Sequence, residues 1–379
     1  MANGEVTDAI YLDFAKAFDT VPHARLLIKL KAYGIEGPIF EWIKAFLTGR
    51  TQVVKVNGEC SNAAPVLSGI PQGSVLGPLL FVLYINDLPD GILSNVLLFA
   101  DDTKVFKQID KESDSKILQR DLDYLDEWSA KWLLKFNLSK CHVLTLGKTE
   151  NIKFTNRYSL GGLELEHVFC EKDLGVTIDN ELQFSEHVAA KVAKANAIMG
   201  LIRRTFAFLD CELFRILYTT FVRPHLEYAQ SAWSPRLQKY INQLERVQIR
   251  ATKLVDGLST LTYEENLRML NLPTLVHRRE RGDMIEVFKH LQVYDPVLLP
   301  QHCFLQSSHA SRKHNFQIVH QRPLDGTKGV HQNSFYIRTI KTWNNLPANV
   351  VNAKTLNQFK NKLDRAWAGK PNKYNFKDS

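Results

Sequence analysis

The stretch Leu97–Phe106, with the sequence L-L-F-A-D-D-T-K-V-F, organises this chain. Residues 95–100 form a short apolar run, and residues 103–106 alternate between polar and apolar side chains. Two such runs joined by a tight connection predict a β-hairpin, which would carry Asp101 and Asp102 at its tip. Adjacent carboxylates repel each other unless a cation lies between them, but Asp-Asp also suits a simple turn. The pair alone therefore leaves a metal site and ordinary turn chemistry both open.

The composition is that of an ordinary folded protein. The chain has 379 residues, of which 45% are hydrophobic and 23% charged, enough for two or three domains with separate cores. Apolar stretches end well before the roughly 18 residues of a membrane span, so we expect no membrane association. We also expect no signal peptide. Five scattered cysteines without a C-x-x-C pair favour an intracellular location, in the cytoplasm or the nucleus, over a disulfide framework.

Charge is distributed unevenly along the chain. Acidic residues outnumber basic ones by 24 to 19 in residues 1–180, whereas basic residues outnumber acidic ones by 13 to 3 in residues 301–379. A solvated tail and a surface that follows a phosphate backbone are both consistent with this excess. Residues 302–320 hold four histidines and a cysteine, at His302, Cys303, His309, His314 and His320. Their spacing fits no common zinc pattern, so contact with nucleic acid is favoured over a zinc site.

Two kinds of periodicity divide the chain. Before residue 182 short strands and helices alternate: a strand at Ala9–Phe14, a hairpin at Asn57-Gly58 and a Gly- and Pro-rich loop at Ser68–Pro78. Further helices are predicted at residues 22–33, 38–47, 79–88 and 121–134. From Ser185 the apolar period is about 3.6, which predicts helices at residues 185–206, 210–230, 236–256, 262–271 and 274–294.

The order of the acidic strands suggests a common site. The first strand carries Asp13 near its end, and the predicted hairpin carries Asp101 and Asp102. Two such strands lying antiparallel would bring Asp13 within a few ångströms of Asp101. Clustered carboxylates bind Mg²⁺, usually with water and substrate phosphates completing the shell, and two such ions serve in-line phosphoryl transfer.

Three long motifs resemble the palm of reverse transcriptases of non-LTR retrotransposons, in the Jockey and CR1 neighbourhood. They are Y-L-D-F-A-K-A-F-D-T-V-P-H (11–23), S-G-I-P-Q-G-S-V-L-G-P-L-L-F-V-L-Y-I-N-D-L-P (68–89) and F-A-D-D-T-K-V-F (99–106). N-L-S-K-C-H (137–142) is similar to the following lysine motif, and D-L-G-V-T-I-D (173–179) resembles the primer-grip hairpin. The likeness extends over nearly the whole chain.

The resemblance implies an α+β fold of three parts. Residues 1–182 would form a right-hand polymerase palm, an antiparallel sheet backed by helices. An all-α thumb-like domain (183–296) and a basic C-terminal region (297–379) would follow. The implied activity is RNA-directed DNA polymerisation, with an RNA template, a DNA primer and deoxynucleoside triphosphates as partners.

The resemblance also implies the metal site. Two Mg²⁺ ions would be held by Asp13, Asp101 and Asp102, assisted by the carbonyl of Phe14. Lys140 would be a general acid to the pyrophosphate leaving group. From the residues alone, Lys140 is equally well an ordinary surface lysine.

Substrate positions follow in the same way. Phe18 would be an aromatic gate under the sugar that disfavours a 2′-hydroxyl, and Gln72 and Gly73 would contact the incoming nucleotide. Leu174 and Gly175 would hold the primer end. Without the motif, Phe18 is a core residue. The neighbouring Asp19 is a candidate cap for the helix that begins near Pro22.

Only twelve residues precede Asp13, fewer than the fingers and endonuclease of the family occupy. We therefore expect an N-terminally truncated reverse transcriptase. The alternative is a catalytically inactive fragment without fingers that only binds RNA or an RNA–DNA hybrid.

Overall fold

The computed structural model describes residues 6–147, 156–294, 305–306, 314, 316–319 and 334–377. Helices and strands are mixed, and the chain divides into two compact units between Glu171 and Lys172. The predicted mixed class of α and β structure is confirmed. Part of the basic C-terminal region, including His302, Cys303, His309 and His320, lies outside the described residues.

The first unit contains an irregular series of strands and helices. Its strands are β1 (Thr7–Leu12), β2 (Thr51–Gln52), β3 (Lys55–Val56), β4 (Glu59–Cys60), β5 (Ala64–Pro65), β6 (Asn95–Phe99), β7 (Asp102–Gln108), β8 (His142–Leu146), β9 (Ser159–Leu160), β10 (Leu163–Glu164) and β11 (Glu166–Val168). Its helices are α1 (Ala17–Thr20), α2 (His23–Ala32), α3 (Gly37–Leu47), α4 (Leu76–Ile85) and α5 (Glu112–Trp132).

A five-stranded sheet of order β11-β8-β1-β7-β6 forms the centre of this unit. Its strands are antiparallel except for the pair β11 and β8. Side chains alternate between the two faces of a strand, so Ile10 and its partners Val105 and Val143 all point to one face. These three are fully buried and pack with side chains from α2, α4 and α5. The opposite face carries Tyr11 and Lys104, whose ammonium lies 5.4 Å from the tyrosine ring.

Helix α5 begins at Glu112, nine residues before the predicted start at Asp121. The early turns are polar and carry a weak periodic signal, but Asp114 accepts a hydrogen bond of 3.0 Å from the backbone N–H of Lys111 and so caps the helix. The extra turns bring Leu118, which is fully buried, into the core. The N-terminal cap therefore lets α5 begin before its apolar stripe does.

Asp121 supports the start of β6, the first strand of the hairpin that carries Asp101 and Asp102. Its buried carboxylate accepts backbone hydrogen bonds from Leu93 at 3.1 Å and Ser94 at 2.8 Å. Burial would raise the pKa of Asp121, but the hydrogen bonds from Ser94, Leu93 and Arg120 outweigh it and hold this pKa below its usual value. The start of β6 is thus anchored by an ionised side chain.

Replacing Gly69 by Ala is expected to destabilise the fold by about 2–4 kcal/mol, from left-handed strain and overpacking together. Gly69 has φ +88°, and an added Cβ would lie 2.7 Å from the carbonyl oxygen of Asp19. Gly162 is the matched control, because its φ is +77° with nothing within 4 Å of the added Cβ. Urea denaturation of both variants separates the two costs. Equal losses in Gly69→Ala and Gly162→Ala would contradict the close approach.

The second unit is mainly helical. The chain enters it through a hairpin of β12 (Cys170–Asp173) and β13 (Val176–Asp179). A short strand pair, β14 (Leu305–Gln306) and β15 (Ile318–Val319), lies further along. The helices are α6 (Ser185–Thr205), α7 (Cys211–Leu217), α8 (Arg223–Glu227), α9 (Gln230–Trp233), α10 (Gln238–Thr252), α11 (Tyr263–Met269), α12 (Leu275–Gln292), α13 (Phe335–Arg338), α14 (Ile340–Asn344), α15 (Ala348–Val351) and α16 (Leu356–Ala366).

The helix predicted at 210–230 is divided. A π-helical turn at Tyr218–Val222 separates α7 from α8, just before Pro224, which has no backbone N–H to donate. Within the described ranges, no helix is both long and apolar enough to cross a bilayer.

Candidate active site

The strand that leads to Asp13 lies beside the strand that begins with Asp102. β1 and β7 are antiparallel with Leu12 opposite Thr103, so Asp13 and Asp102 occupy the next position of the same register. The predicted antiparallel arrangement of the two acidic strands is therefore confirmed.

The predicted hairpin is also confirmed. β6 and β7 pair up to Phe99 opposite Asp102, which leaves Ala100 and Asp101 as a two-residue turn. Ala100 has φ +52°, a left-handed conformation that costs a residue with a Cβ roughly 1–2 kcal/mol. The tight turn places Asp101 and Asp102 at the end of the sheet next to Asp13.

Lys140 approaches the same place from a separate segment. The backbone N–H of Asn137 donates to the carbonyl of Asp13 at 2.7 Å, which ties the segment before Lys140 to the end of β1. The Lys140 ammonium then lies 3.0 Å from Asp13 Oδ2. The hydrogen bond and charge of Asp13, opposed by slight desolvation and reinforced by the charge of Asp101, raise the pKa of Lys140. The structure thus brings together Asp13, Lys140 and the acidic turn.

The donor set suits a hard cation. Asp13 Oδ2 is shielded from solvent, and among the described residues its ion-pair partner is the Lys140 ammonium. Phe14 and Phe136 form an isolated β-bridge, whose hydrogen bonds are made by the carbonyl of Asp13 and the N–H of Ala15. The Phe14 carbonyl takes part in neither of these hydrogen bonds. Among the described residues, no three or more His, Cys, Asp or Glu side chains form a closed metal cluster. An open site of one or two carboxylates is the usual arrangement for Mg²⁺ with phosphate substrates.

Backbone hydrogen bonds join the Gln72 loop to the Phe18 segment. The N–H of Ile70 donates to the carbonyl of Phe18 at 2.7 Å, and the N–H of Gly69 donates to the carbonyl of Val21 at 2.8 Å. The Phe18 ring is half-buried and stacks on Phe81, with centroids 4.6 Å apart. Phe18 is therefore both a packed side chain and a wall at the edge of the core.

Asp19 is not a helix cap. It lies inside α1. The N-cap position of α2 is Pro22, and no side-chain hydrogen bond caps the helix there. Instead, Asp19 Oδ1 accepts a hydrogen bond of 2.9 Å from the side-chain amide of Gln72. Gly73 follows with φ +80°, which favours glycine. Asp19 therefore orients the Gln72 side chain.

A cleft of about 710 Å³ opens beside this pair. Its lining includes Lys16 and Arg50 as well as Asp19 and Gln72. Neither Lys16 nor Arg50 forms an ion pair with a carboxylate of the described chain. Two unpaired cations next to Gln72 make the cleft suitable for an anionic ligand.

The predicted primer-binding residues lie in the second unit, at the turn between β12 and β13. Leu174 has φ +45° and Gly175 has φ +83°. The Leu174 side chain is 45% exposed, so this turn presents an apolar group to solvent.

Residues 2–158 match the family profile described as reverse transcriptase (RNA-dependent DNA polymerase). The RNA-directed DNA polymerase from mobile element jockey of Drosophila melanogaster is 29% identical over 72% of this chain and 31% of its own length. The probable RNA-directed DNA polymerase from transposon X-element of the same species is 30% identical over 72% of this chain and 31% of its own length. The chain thus spans about a third of the length of these relatives.

Among solved structures, telomerase from Candida albicans in complex with a fragment of telomeric RNA aligns over 70% of this chain and 49% of that chain. The two are 10% identical, with a TM-score of 0.37.

These findings define the class of protein: residues 2–158 belong to the reverse transcriptase family. The particular relatives are the RNA-directed DNA polymerases of the jockey and X-element mobile elements. The resemblance stated from the three palm motifs is confirmed.

Sequence reasoning missed the bond between Asp19 and Gln72 and the two cations of the cleft. Asp19 stands inside a recognised motif, but its partner is 53 residues away. Lys16 and Arg50 carried no signal beyond being basic.

Proposed function

We propose that this chain carries the catalytic palm of an RNA-directed DNA polymerase of a non-LTR retrotransposon. It would extend a DNA primer along an RNA template with deoxynucleoside triphosphates. The observation that carries the proposal is the antiparallel register of β1 and β7, which sets Asp13 beside Asp102, with Lys140 3.0 Å from Asp13 Oδ2. A carboxylate cluster at the end of a sheet is suited to phosphoryl transfer, which depends on positioning and charge neutralisation.

Asp13, Asp101, Asp102 and the Phe14 carbonyl are the proposed holders of two Mg²⁺ ions. When bound, the pair would supply charge neutralisation at the attacking and leaving oxygens. The oxygen-only donor set and the open geometry of the site support this assignment.

Lys140 is the proposed proton donor to pyrophosphate. While its ammonium pairs with Asp13 its pKa is raised, so the proton is held more tightly than in water. Donation therefore requires the pair to separate, and the long side chain, 64% exposed, has the freedom to do so. Lys140 would leave Asp13 and approach the leaving group as the nucleotide enters.

Phe18, Gln72 and Gly73 are the proposed contacts to the incoming nucleotide. Because Phe18 is stacked on Phe81, its ring is a fixed wall against which a 2′-hydroxyl would be excluded. Lys16 and Arg50 in the neighbouring cleft would balance phosphate charge.

The proposed domain arrangement is a palm at 1–182, a helical thumb-like domain at 183–296 and a basic region at 297–379. Leu174 and Gly175 would support the primer end. The proposed setting is intracellular, where RNA and deoxynucleotides are available.

Primer extension on poly(rA)–oligo(dT) with Mg²⁺ and dTTP tests the function. The parent chain is expected to extend the primer, and the variant Asp101→Ala, Asp102→Ala to give none. The control Asp123→Ala, Asp126→Ala removes two exposed carboxylates of α5 and is expected to extend normally. No extension by any variant, together with salt-dependent binding of the hybrid, would instead establish the inactive binding fragment.

A further inference from the structure

The turn between β12 and β13 is held in a conformation that its sequence does not favour. Leu174 has φ +45°, in the left-handed region where a leucine pays roughly 1–2 kcal/mol. Its side chain is nevertheless 45% exposed, so burial of the side chain does not repay this cost. Such strain persists only where the surroundings determine the backbone, and it is concentrated at functional sites.

Two side chains of the helical unit hold this turn. The Tyr228 hydroxyl donates to the carbonyl of Leu174 at 2.9 Å, and the Lys191 ammonium donates to the carbonyl of Gly175 at 3.1 Å. The Lys191 ammonium also lies 5.8 Å from the centre of the Tyr228 ring. A Cβ on Gly175 would be 3.2 Å from that ring, so glycine permits the close approach. Consecutive carbonyls of the turn are thus tied by two neighbouring donors.

A buried layer supports these two side chains. His187 is almost fully buried in α6 and accepts a hydrogen bond of 3.0 Å from the backbone N–H of Thr177. Its ring lies 4.8 Å from that of Trp233, and the Trp233 indole donates to the carbonyl of Tyr228 at 2.7 Å. The hairpin of β12 and β13 and the residue Tyr228 that holds its turn are therefore fixed to the same core.

We propose that Tyr228 and Lys191 are positioning residues that hold the Leu174–Gly175 turn as a preformed support for the 3′ end of the primer. This rests on the proposed polymerase function and adds two residues that the motifs do not contain. The exposed Leu174 side chain supplies an apolar surface for the terminal sugar. Because the turn is ordered before the nucleic acid binds, binding does not pay for its ordering.

The test uses the full chain with the variants Tyr228→Phe, which removes one hydroxyl, and Lys191→Met, which removes one ammonium. Primer extension is measured against hybrid concentration and, separately, against dTTP concentration. Each variant is expected to raise KM for the hybrid about tenfold, which is the scale of one lost ordering contact. The kcat and the KM for dTTP are expected to stay within about twofold of the parental values, because these residues affect primer binding and not the chemical step.

The controls are Tyr240→Phe and Lys194→Met, which make the same chemical changes in α10 and α6 away from the turn. Lys191→Arg keeps a donor and is expected to restore part of the affinity. Amide hydrogen exchange of residues 174–177 is expected to accelerate in Tyr228→Phe and Lys191→Met, with an unchanged melting temperature. A lower melting temperature without a change in KM for the hybrid would show a merely structural role and overturn the proposal.

Failure of the polymerase function itself is distinguishable. If the parent chain does not extend primers, the fluorescence anisotropy of a labelled hybrid gives the Kd directly. A Kd raised about tenfold by either variant would then support the turn as a nucleic-acid support. An unchanged Kd would overturn it.

Discussion

Asp13→Asn is expected to lower kcat for primer extension by at least about 10³-fold, the scale for losing a charge-stabilising group at a reacting phosphate. Asparagine keeps the shape of the side chain and its place at the end of β1 but removes the negative charge. The Lys140 ammonium then loses its partner at Oδ2, but it is largely exposed and is solvated by water instead. We therefore expect the melting temperature and the Kd for the hybrid to change little.

Asp123→Asn is the matched control, because Asp123 is an exposed α5 carboxylate whose contact is the Gln119 amide at 2.8 Å. It is expected to retain parental activity. If Asp13→Asn kept more than about a tenth of the parental kcat, Asp13 would not be an essential ligand of the proposed Mg²⁺ ions.

Lys140→Met separates the two interpretations of this lysine. A proton donor to the leaving group typically contributes about 10²-fold or more, so kcat is expected to fall by that order with KM for dTTP nearly unchanged. A surface lysine that only neutralises Asp13 would leave kcat as it is.

Lys29→Met is expected to have a large effect on stability, lowering the free energy of unfolding by about 3 kcal/mol. Lys29 is buried in α2, where its ammonium donates to the Tyr84 carbonyl and to Asp87 Oδ1, the latter at 2.5 Å. The rings of Tyr84, Trp128 and Trp132 surround it, with centroids 4.8, 4.8 and 3.8 Å away. Methionine fits this space but leaves Asp87 without its cation.

The double variant Lys29→Met, Asp87→Asn tests that explanation. Asparagine at 87 keeps an acceptor for the Trp128 indole, which donates to Asp87 at 3.1 Å, and removes the unpaired charge. Most of the lost stability is therefore expected to return. Lys31→Met, on the exposed side of the same helix, is expected to cost less than about 1 kcal/mol. Chemical denaturation of the three variants gives each value, and no recovery in the double variant would contradict the charge argument.

The pH dependence of Lys29 has a definite sign. Burial lowers the pKa of Lys29, against the opposing effect of Asp87, so between this lowered value and the unfolded value of about 10.4 the unfolded chain binds more protons. Stability from this group therefore rises with pH in that range. The difference in unfolding free energy between the parent and Lys29→Met is expected to grow as the pH rises toward 10.4, which denaturation at several pH values measures.

Local patterns were sufficient where structure depends on near neighbours. The acidic hairpin follows from an apolar run and an alternating run joined by a two-residue turn, and the Asn57-Gly58 hairpin forms between β3 and β4 with both turn residues at positive φ. Helix α5 begins earlier than predicted, because its polar first turns are stabilised by a cap and not by an apolar stripe.

The motifs, the family they belong to and the antiparallel placement of Asp13 beside the acidic turn all follow from the sequence. The side chains that orient these residues are known from the folded structure alone. Asp19 meets Gln72 across 53 residues and Tyr228 meets Leu174 across 54. An Asp, a Tyr or a Lys has many partners available along the chain, and only long-range packing selects one of them. For the same reason Lys29, one basic residue of an amphipathic helix, showed no sign in sequence of its burial among three aromatic rings.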